Sequence, residues 1–550
     1  MNLQQTKILQ IKSQSQIVGS VFLVCIFFVG IAFTQKKAIQ QTNPIVQKAT
    51  ELVQAGNLSE AEVLLKGYLA KTSHDKKAKI LLGVVFDQTN RLSEAENIYR
   101  EVLKTSPNEI AALSNLGVLL VKTKRIEEAL KTLEKVFALQ PGHQQVAYNL
   151  AAIYSSQNKH QKALPLLENL SGINSKNPIP KTNDFALLFA LTKGYAATGK
   201  IKEAIKIAEI LENQQPNDSR LLFTLGLVFS EAHEYEKGKF YFEKVNGQIP
   251  NRLEVLYNLG IAYYNLNELD KAQNVLRSAV NLDQNNADIF YRLGLVASAK
   301  NEVENAIGLW LKALELRPTF HEANFLIAEE LSKRQGYTGA KDYYEKAANQ
   351  QPENLLYQVR LIVANIRIQQ YENARPILER EDKKRPNNLN ITYLKGYLAR
   401  AEGNYDEAIS AFEKVLKIAP NNADALANLG FLSYERGQNE KSETLLRQAI
   451  KQDPQIFTAH YDLGRLLIRL KRIEDALKIL ERAVSLNKKD PGVHYQLFLV
   501  YSRLKQKEKA DVNFAEFKRL EKLFSRTGAA STSNDKTPEI PNSIEQVKKP

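Results

Sequence analysis

Three residue marks recur along this chain with a single period of 34. Proline stands at Pro107 and Pro141, at Pro216 and Pro250, and then at Pro318, Pro352, Pro386, Pro420 and Pro454. Twelve positions before each lies a small residue: Ala95, Ala129, Ala204, Gly238, Ala306, Ala340, Ala374, Ala408 and Ser442. Twelve before that, most copies carry a glycine, as at Gly83, Gly117, Gly226, Gly260, Gly294, Gly396, Gly430 and Gly464. A fixed period of this length restricts the fold severely, because a unit this short buries its apolar face only against the next unit.

Between the marks, apolar residues fall at i, i+3, i+4 and i+7 on both sides of a central break, the pattern of two amphipathic helices. In the 110–143 copy these are "IAALSNLGVLLVKTK" and "IEEALKTLEKVFAL". The small residues let the two helices, A and B, approach closely, and proline stops helix B before the next unit. The frame extends to fourteen units, starting at about 42, 76, 110, 144, 185, 219, 253, 287, 321, 355, 389, 423, 457 and 491. One step breaks phase: Pro141 to Pro216 is seven residues longer than two periods, and "PIPKTND" at 178–184 supplies them as a surface loop. With 44% apolar and 25% charged residues the array can hold a continuous core, and no alternating strand pattern competes.

The unit resembles the tetratricopeptide repeat. That family's marks stand here as Leu256, Leu259-Gly260, Tyr263, Ala272, Leu276 and Ala279, and again as Phe290, Leu293-Gly294, Ala306, Trp310, Ala313 and Pro318. The resemblance covers roughly 42–522 and implies an all-α, right-handed α-solenoid whose helices A line an inner groove. It implies partner binding without fixing the partner. Position 6 of each repeat points into that groove in the family; Asn115, Asn149, Asn258 and Asn428 hold it here, with Tyr257, Tyr291 and Tyr461 among the aromatics one position earlier. An asparagine amide can pair with both the N–H and the C=O of an extended peptide, and an inward amide is expected to stand open to solvent. Tyr-Asn as simple repeat consensus is the competing reading. The 491–522 copy lacks the marker glycine and the marker proline, with Phe498 and Lys522 in their places, as suits a capping repeat.

The first fifty residues are different. A basic leader (1–16) precedes "IVGSVFLVCIFFVGIAF" at 17–33, which has no charge and as a helix spans roughly 25 Å, close to the hydrocarbon thickness of about 30 Å. We therefore expect one transmembrane anchor at 17–34 and a linker at 35–41, with the repeats on the extracytoplasmic side. A signal peptide cut after Ala32 is the alternative, and it makes the repeats a soluble secreted or periplasmic module. Cys25, the single cysteine, lies inside this segment, so the repeats can form neither disulfides nor cysteine metal sites. The last residues, 523–550, are Ser/Thr/Pro-rich and read as a disordered tail.

Charge gathers at the C-terminal end. Residues 441–530 hold nineteen Lys/Arg against eleven Asp/Glu, within a total of +14. Arg465, Arg469, Lys471 and Arg472 make a candidate basic patch for an acidic partner or anionic lipid; nucleic acid is disfavoured, since no reading motif accompanies the charge. "GYAATGKI" at 194–201 approaches a phosphate-binding loop, but Ile201 replaces the Mg²⁺-holding hydroxyl residue and the context is helix–turn–helix. The seven histidines are scattered, and no nucleophile–base pair is evident. The expectation is a non-catalytic, membrane-anchored scaffold without cofactor, binding proteins or peptides and suited to envelope assembly or secretion.

Overall fold

The computed structural model describes residues 43–334 and 336–527. Among them are 28 helices, no named strand and one isolated bridge between Asn174 and Asn177. The helices pair into fourteen helix–turn–helix units; in an interior unit such as 253–286, helix A is Leu253–Asn265 and helix B Leu269–Leu282. The described residues fall into two compact units, one ending at Leu282 and the other beginning at Asp283. The apolar segment 17–33 and the residues after 527 lie outside the described residues. Among the described residues no helix is long and apolar enough to cross a membrane.

Local chemistry places each helix. Most helices A open on Asp or Asn side chains that accept from the first free backbone N–H groups, as Asp218 does from Arg220 and Leu221 and Asn422 from Ala425. Between A and B, repeat position 15 is left-handed in unit after unit: Asn90, Lys124, Asn158, Gly199, Asn267, Asn301, Gly403, Gly437 and Lys471 all have positive φ. Gly199, the glycine of the phosphate-loop look-alike, is thus a turn residue at φ 78°.

Helices A and B cross at position 8. A methyl group added to Gly260 meets Leu276 Cγ at 2.5 Å, and one added to Gly226 meets Phe242 at the same distance. The larger residue at position 24 fills the space that glycine leaves. In one repeat without the glycine the sizes are exchanged: Thr192 stands at position 8 opposite Ala208, both fully buried. The small residue at position 20 lies against the same crossing, and Ala95, Ala272, Ala306 and Ala408 are wholly buried. At three junctions successive units are tied by a hydrogen bond from a tyrosine at position 11 to the glutamate at position 25 of the unit before. Tyr263 donates to Glu243 at 2.6 Å, Tyr501 to Glu481 at 3.1 Å, and Tyr154 to Glu134.

Two boundaries differ from the sequence reading. The extra loop occupies 172–184, because helix B of the fourth unit stops at Ser171, where Gly172 turns left-handed (φ 76°). The last helix runs from Lys507 to Thr527, past 523, since "KLFSRT" contains neither proline nor glycine to stop it.

The crossing generates a prediction. Gly260→Val drives a branched side chain into Leu276 and should cost about 1–3 kcal/mol. Hydrogen exchange should rise within 253–282 and in the preceding repeat, 219–252, and stay unchanged near 76–139; uniform loosening would contradict nearest-neighbour coupling.

Candidate functional site

Within each compact unit, helices A of successive repeats pack on one another as well as on their own helices B, as Ala423–Glu435 does on Phe457–Arg469 and Lys76–Gln88 on Ile110–Lys122. Helices B of successive repeats are farther apart, so the helices A line the tighter face. Positions 5 and 6 of helix A lie where one repeat meets the next.

The four asparagines have different environments. Asn115 is half-buried, whereas Asn149, Asn258 and Asn428 are buried, which corrects the expectation of amides open to solvent. The close packing of helices A is the reason. Asn258 Nδ2 donates to its own helix at Glu254 O (2.7 Å). Asn428 Nδ2 donates to Asp424 O (2.8 Å) and to Tyr393 Oη (2.9 Å), while its Oδ1 accepts from Arg400 Nη1 (2.6 Å). Asn149, only 2% exposed, has neither amide atom hydrogen-bonded. The residue 35 positions before Asn428 is Tyr393, whose hydroxyl meets the amide; the residue 35 before Asn149 is Ser114, whose hydroxyl is also buried without a partner. Serine is too short to repeat the tyrosine's contact.

Of the aromatics, Tyr257 is fully buried and serves the core. Tyr291 is half-buried with its ring 4.8 Å from that of Phe320, and Tyr461 stacks on Phe457 at 5.8 Å.

The candidate basic patch does not form a single surface. Arg465 donates to the buried Asp462 (3.2 Å) and lies over Tyr434 at 4.7 Å; Arg469 lies over the same ring at 3.3 Å and donates to Tyr434 O (2.7 Å). Arg472 pairs with Glu443 and Asp475, and Lys471 is the exposed left-handed turn residue. Helical geometry divides them: the first two belong to helix A, and the last two to the turn that follows it.

Sequence reasoning missed the buried charges of this face. Arg400, 8% exposed, stacks on Phe431 at 3.6 Å, and burial lowers its tendency to hold a proton. Arg360 lies 2.9 Å from Glu329, both buried, and Tyr344 donates to the same carboxylate (2.6 Å). Burial raises the Asp462 carboxyl, with the Arg465 charge opposing, and pushes Asp424 up to about 6, with the charge of Asp453 adding. A signal existed: aligned by repeat, Arg400 shares its position with Tyr434 and Ile468. Among the described residues no three His, Cys, Asp or Glu side chains gather as a metal set.

A fold of repeated helix pairs with a tight helix-A face defines the class of helical-repeat arrays. Family models described as tetratricopeptide repeat match 52–116, 91–152, 120–179, 399–457 and 443–497 in one case and 367–423 in another, and a third, described as TPR repeat, matches 260–299. The chain is a tetratricopeptide-repeat protein. No curated protein matches it. Among solved structures it is similar to YrrB, a TPR protein with an unusual peptide-binding site, at 28% identity over 34% of this chain and 95% of that one, with a TM-score of 0.30. It is similar to yeast Tom70 at 16% identity over 83% and 98% of the two chains, TM-score 0.31. A further likeness, to the APC/C hetero-tetramer Cut9–Hcn1, has 13% identity, 88% and 99% coverage and a TM-score of 0.35.

Asp424 supplies a pH prediction. Its folded pKa of about 6 lies above the ordinary 3.8, so folding favours the protonated form. The associated stability is present below pH 3.8 and is lost as pH rises towards 6, by about 3 kcal/mol at most. Urea unfolding across that window should therefore show wild type losing stability relative to Asp424→Asn; parallel curves would contradict the shift.

Proposed function

We propose that this chain is a non-catalytic scaffold that holds protein partners along its helix-A face, fixed to a membrane by residues 17–34 with the repeats on the extracytoplasmic side. Envelope assembly or secretion is the setting such a plan suits. The observation that carries the partner-binding reading is Asn149. A buried amide with no partner inside the protein costs free energy, typically about 1–3 kcal/mol, and retains two hydrogen bonds to offer. The N–H and C=O of an extended segment supply both, once the neighbouring side chains shift to admit it. Half-buried Asn115 in the preceding repeat and the aromatic Tyr148 and Phe189 extend the surface.

The anchor rests on the sequence of 17–33. The alternative, a module released after Ala32, rests on the small residues Gly30 and Ala32. Intact mass of the mature chain separates the two, and deletion of 1–38 should move an anchored protein from the membrane pellet to the soluble fraction with its helicity intact. Recovery of the intact full-length chain in the soluble fraction without detergent would refute the anchor.

The asparagines should part company on mutation. Asn428→Ala strips a hydrogen-bond partner from buried Arg400 and should cost about 1–3 kcal/mol of stability. Asn149→Ala breaks no internal bond and should leave thermal unfolding nearly unchanged while weakening capture of partners that cross-link to the wild-type chain. Capture unaltered by Asn115→Ala and Asn149→Ala together would show that these amides are repeat consensus only.

A further inference from the structure

In the interior of the 283–527 unit, the face that each repeat turns towards the next is closed by the next helix A. Phe325 at position 5 stacks on Tyr357 of the following repeat at 4.7 Å, and Tyr393 at position 5 accepts from Asn428. These two rings are 1% and 3% exposed. Tyr495 holds the same position in the last described repeat and is 38% exposed.

The residues around it are large where the interior is small. Phe498 stands at position 8, the place of Gly396, Gly430 and Gly464, and Phe517 at position 27, the place of the buried Ala449 and Ala483. Tyr495, Phe498, Phe514 and Phe517 form one network. Ring centroids are 4.8 Å apart for Phe498–Phe514, 5.3 Å for Tyr495–Phe517, 6.0 Å for Tyr495–Phe498 and 6.2 Å for Phe514–Phe517. Phe498, Phe514 and Phe517 are half-buried. The terminal face of a repeat array is ordinarily polar, for solubility; this one is aromatic.

Its surroundings are basic. Residues 488–523 hold nine Lys/Arg against five Asp/Glu, and two of the acids are engaged: Asp490 caps Val493, and Glu516 binds Arg519. The Lys518 ammonium sits 4.3 Å over the Phe514 ring, and Lys488, Lys489, Lys507 and Lys509 are exposed. Like charge disfavours a second copy of the same face.

We propose that this aromatic end face docks an amphipathic helix of a partner protein, apolar on one side and acidic along its edges, seated as the first helix of a following repeat is seated in the interior. The interior repeats show that the face accepts a helix, and the lysines select its charge. Docking here is separate from binding along the helix-A face.

Two synthetic 18-residue helices with one identical leucine face serve as probes, one carrying glutamates and the other lysines on the polar face. Each is titrated into the full-length chain by fluorescence anisotropy at near-physiological salt. The glutamate helix should bind at least tenfold tighter than the lysine helix, and Phe517→Ser should weaken it at least tenfold. Because Phe517→Ser could loosen the last repeat, Lys518→Glu is measured as well; it should lower affinity for the glutamate helix and raise it for the lysine helix. Binding of neither probe, equal binding of both, or indifference to both substitutions would overturn the proposal. So would a dimer in light scattering that Phe517→Ser converts to monomer, which assigns the face to a second copy. Binding that appears only after removal of 528–550 would also overturn it, assigning the face to the chain's own C-terminal segment.

Discussion

The approach of helix A to helix B at position 8 underlies the rest of the structure. A glycine there leaves room for the residue sixteen positions on, so that Leu276 rests where the Gly260 side chain would otherwise be and Tyr99 where that of Gly83 would be. With the pair closed at that point, position 20 must be small, and it is alanine, glycine or serine throughout. The paired helices then present positions 5, 6 and 11 to the neighbouring repeat, where tyrosine–glutamate bonds and buried rings join one unit to the next. Hydrophobic burial drives the association, but the glycine decides the distance at which it happens.

That geometry explains which features are legible in the sequence. Periodicity yields the pairing of helices and the left-handed turns, because each is a local matter repeated many times. Gly199 is recognisable as a turn residue from its place in the frame alone. The state of a side chain at an inter-repeat contact is a different matter, since it depends on one residue in the next unit. Asn258, Asn428 and Asn149 share a position and an identity; one bonds its own helix, one joins a network with Arg400 and Tyr393, and one has no partner. Ser114 in place of a tyrosine accounts for the last. The four basic residues at 465–472 read as a patch because they are adjacent in sequence, yet helix A and the turn after it carry them to different partners.

Buried charge is found both in a repeat that breaks the pattern and in repeats that keep it. The 355–388 unit has Ile362 where glycine is usual and Glu381, fully buried, at the position of alanine, with Arg385 and Arg380 beside it. Arg360, Arg400 and Asp462 lie on helices A of that unit and of nearby ones. A buried charge is seldom the cheapest way to stabilise a helix pair. Each of these charges has a partner within the array: Arg360 pairs with Glu329, Arg400 with Asn428, and Asp462 with Arg465.

Site-specific photocross-linking tests the central claim, that partners lie along the helix-A face, whatever the partner's identity. A photoreactive amino acid is placed at Asn115, half-buried on helix A, and in a second protein at Thr132, equally half-buried but on helix B of the same repeat. Irradiated in cells, the chain should give discrete partner adducts from position 115 and none from 132. Adducts from 132 with none from 115 would place the partner on the opposite face and contradict the account.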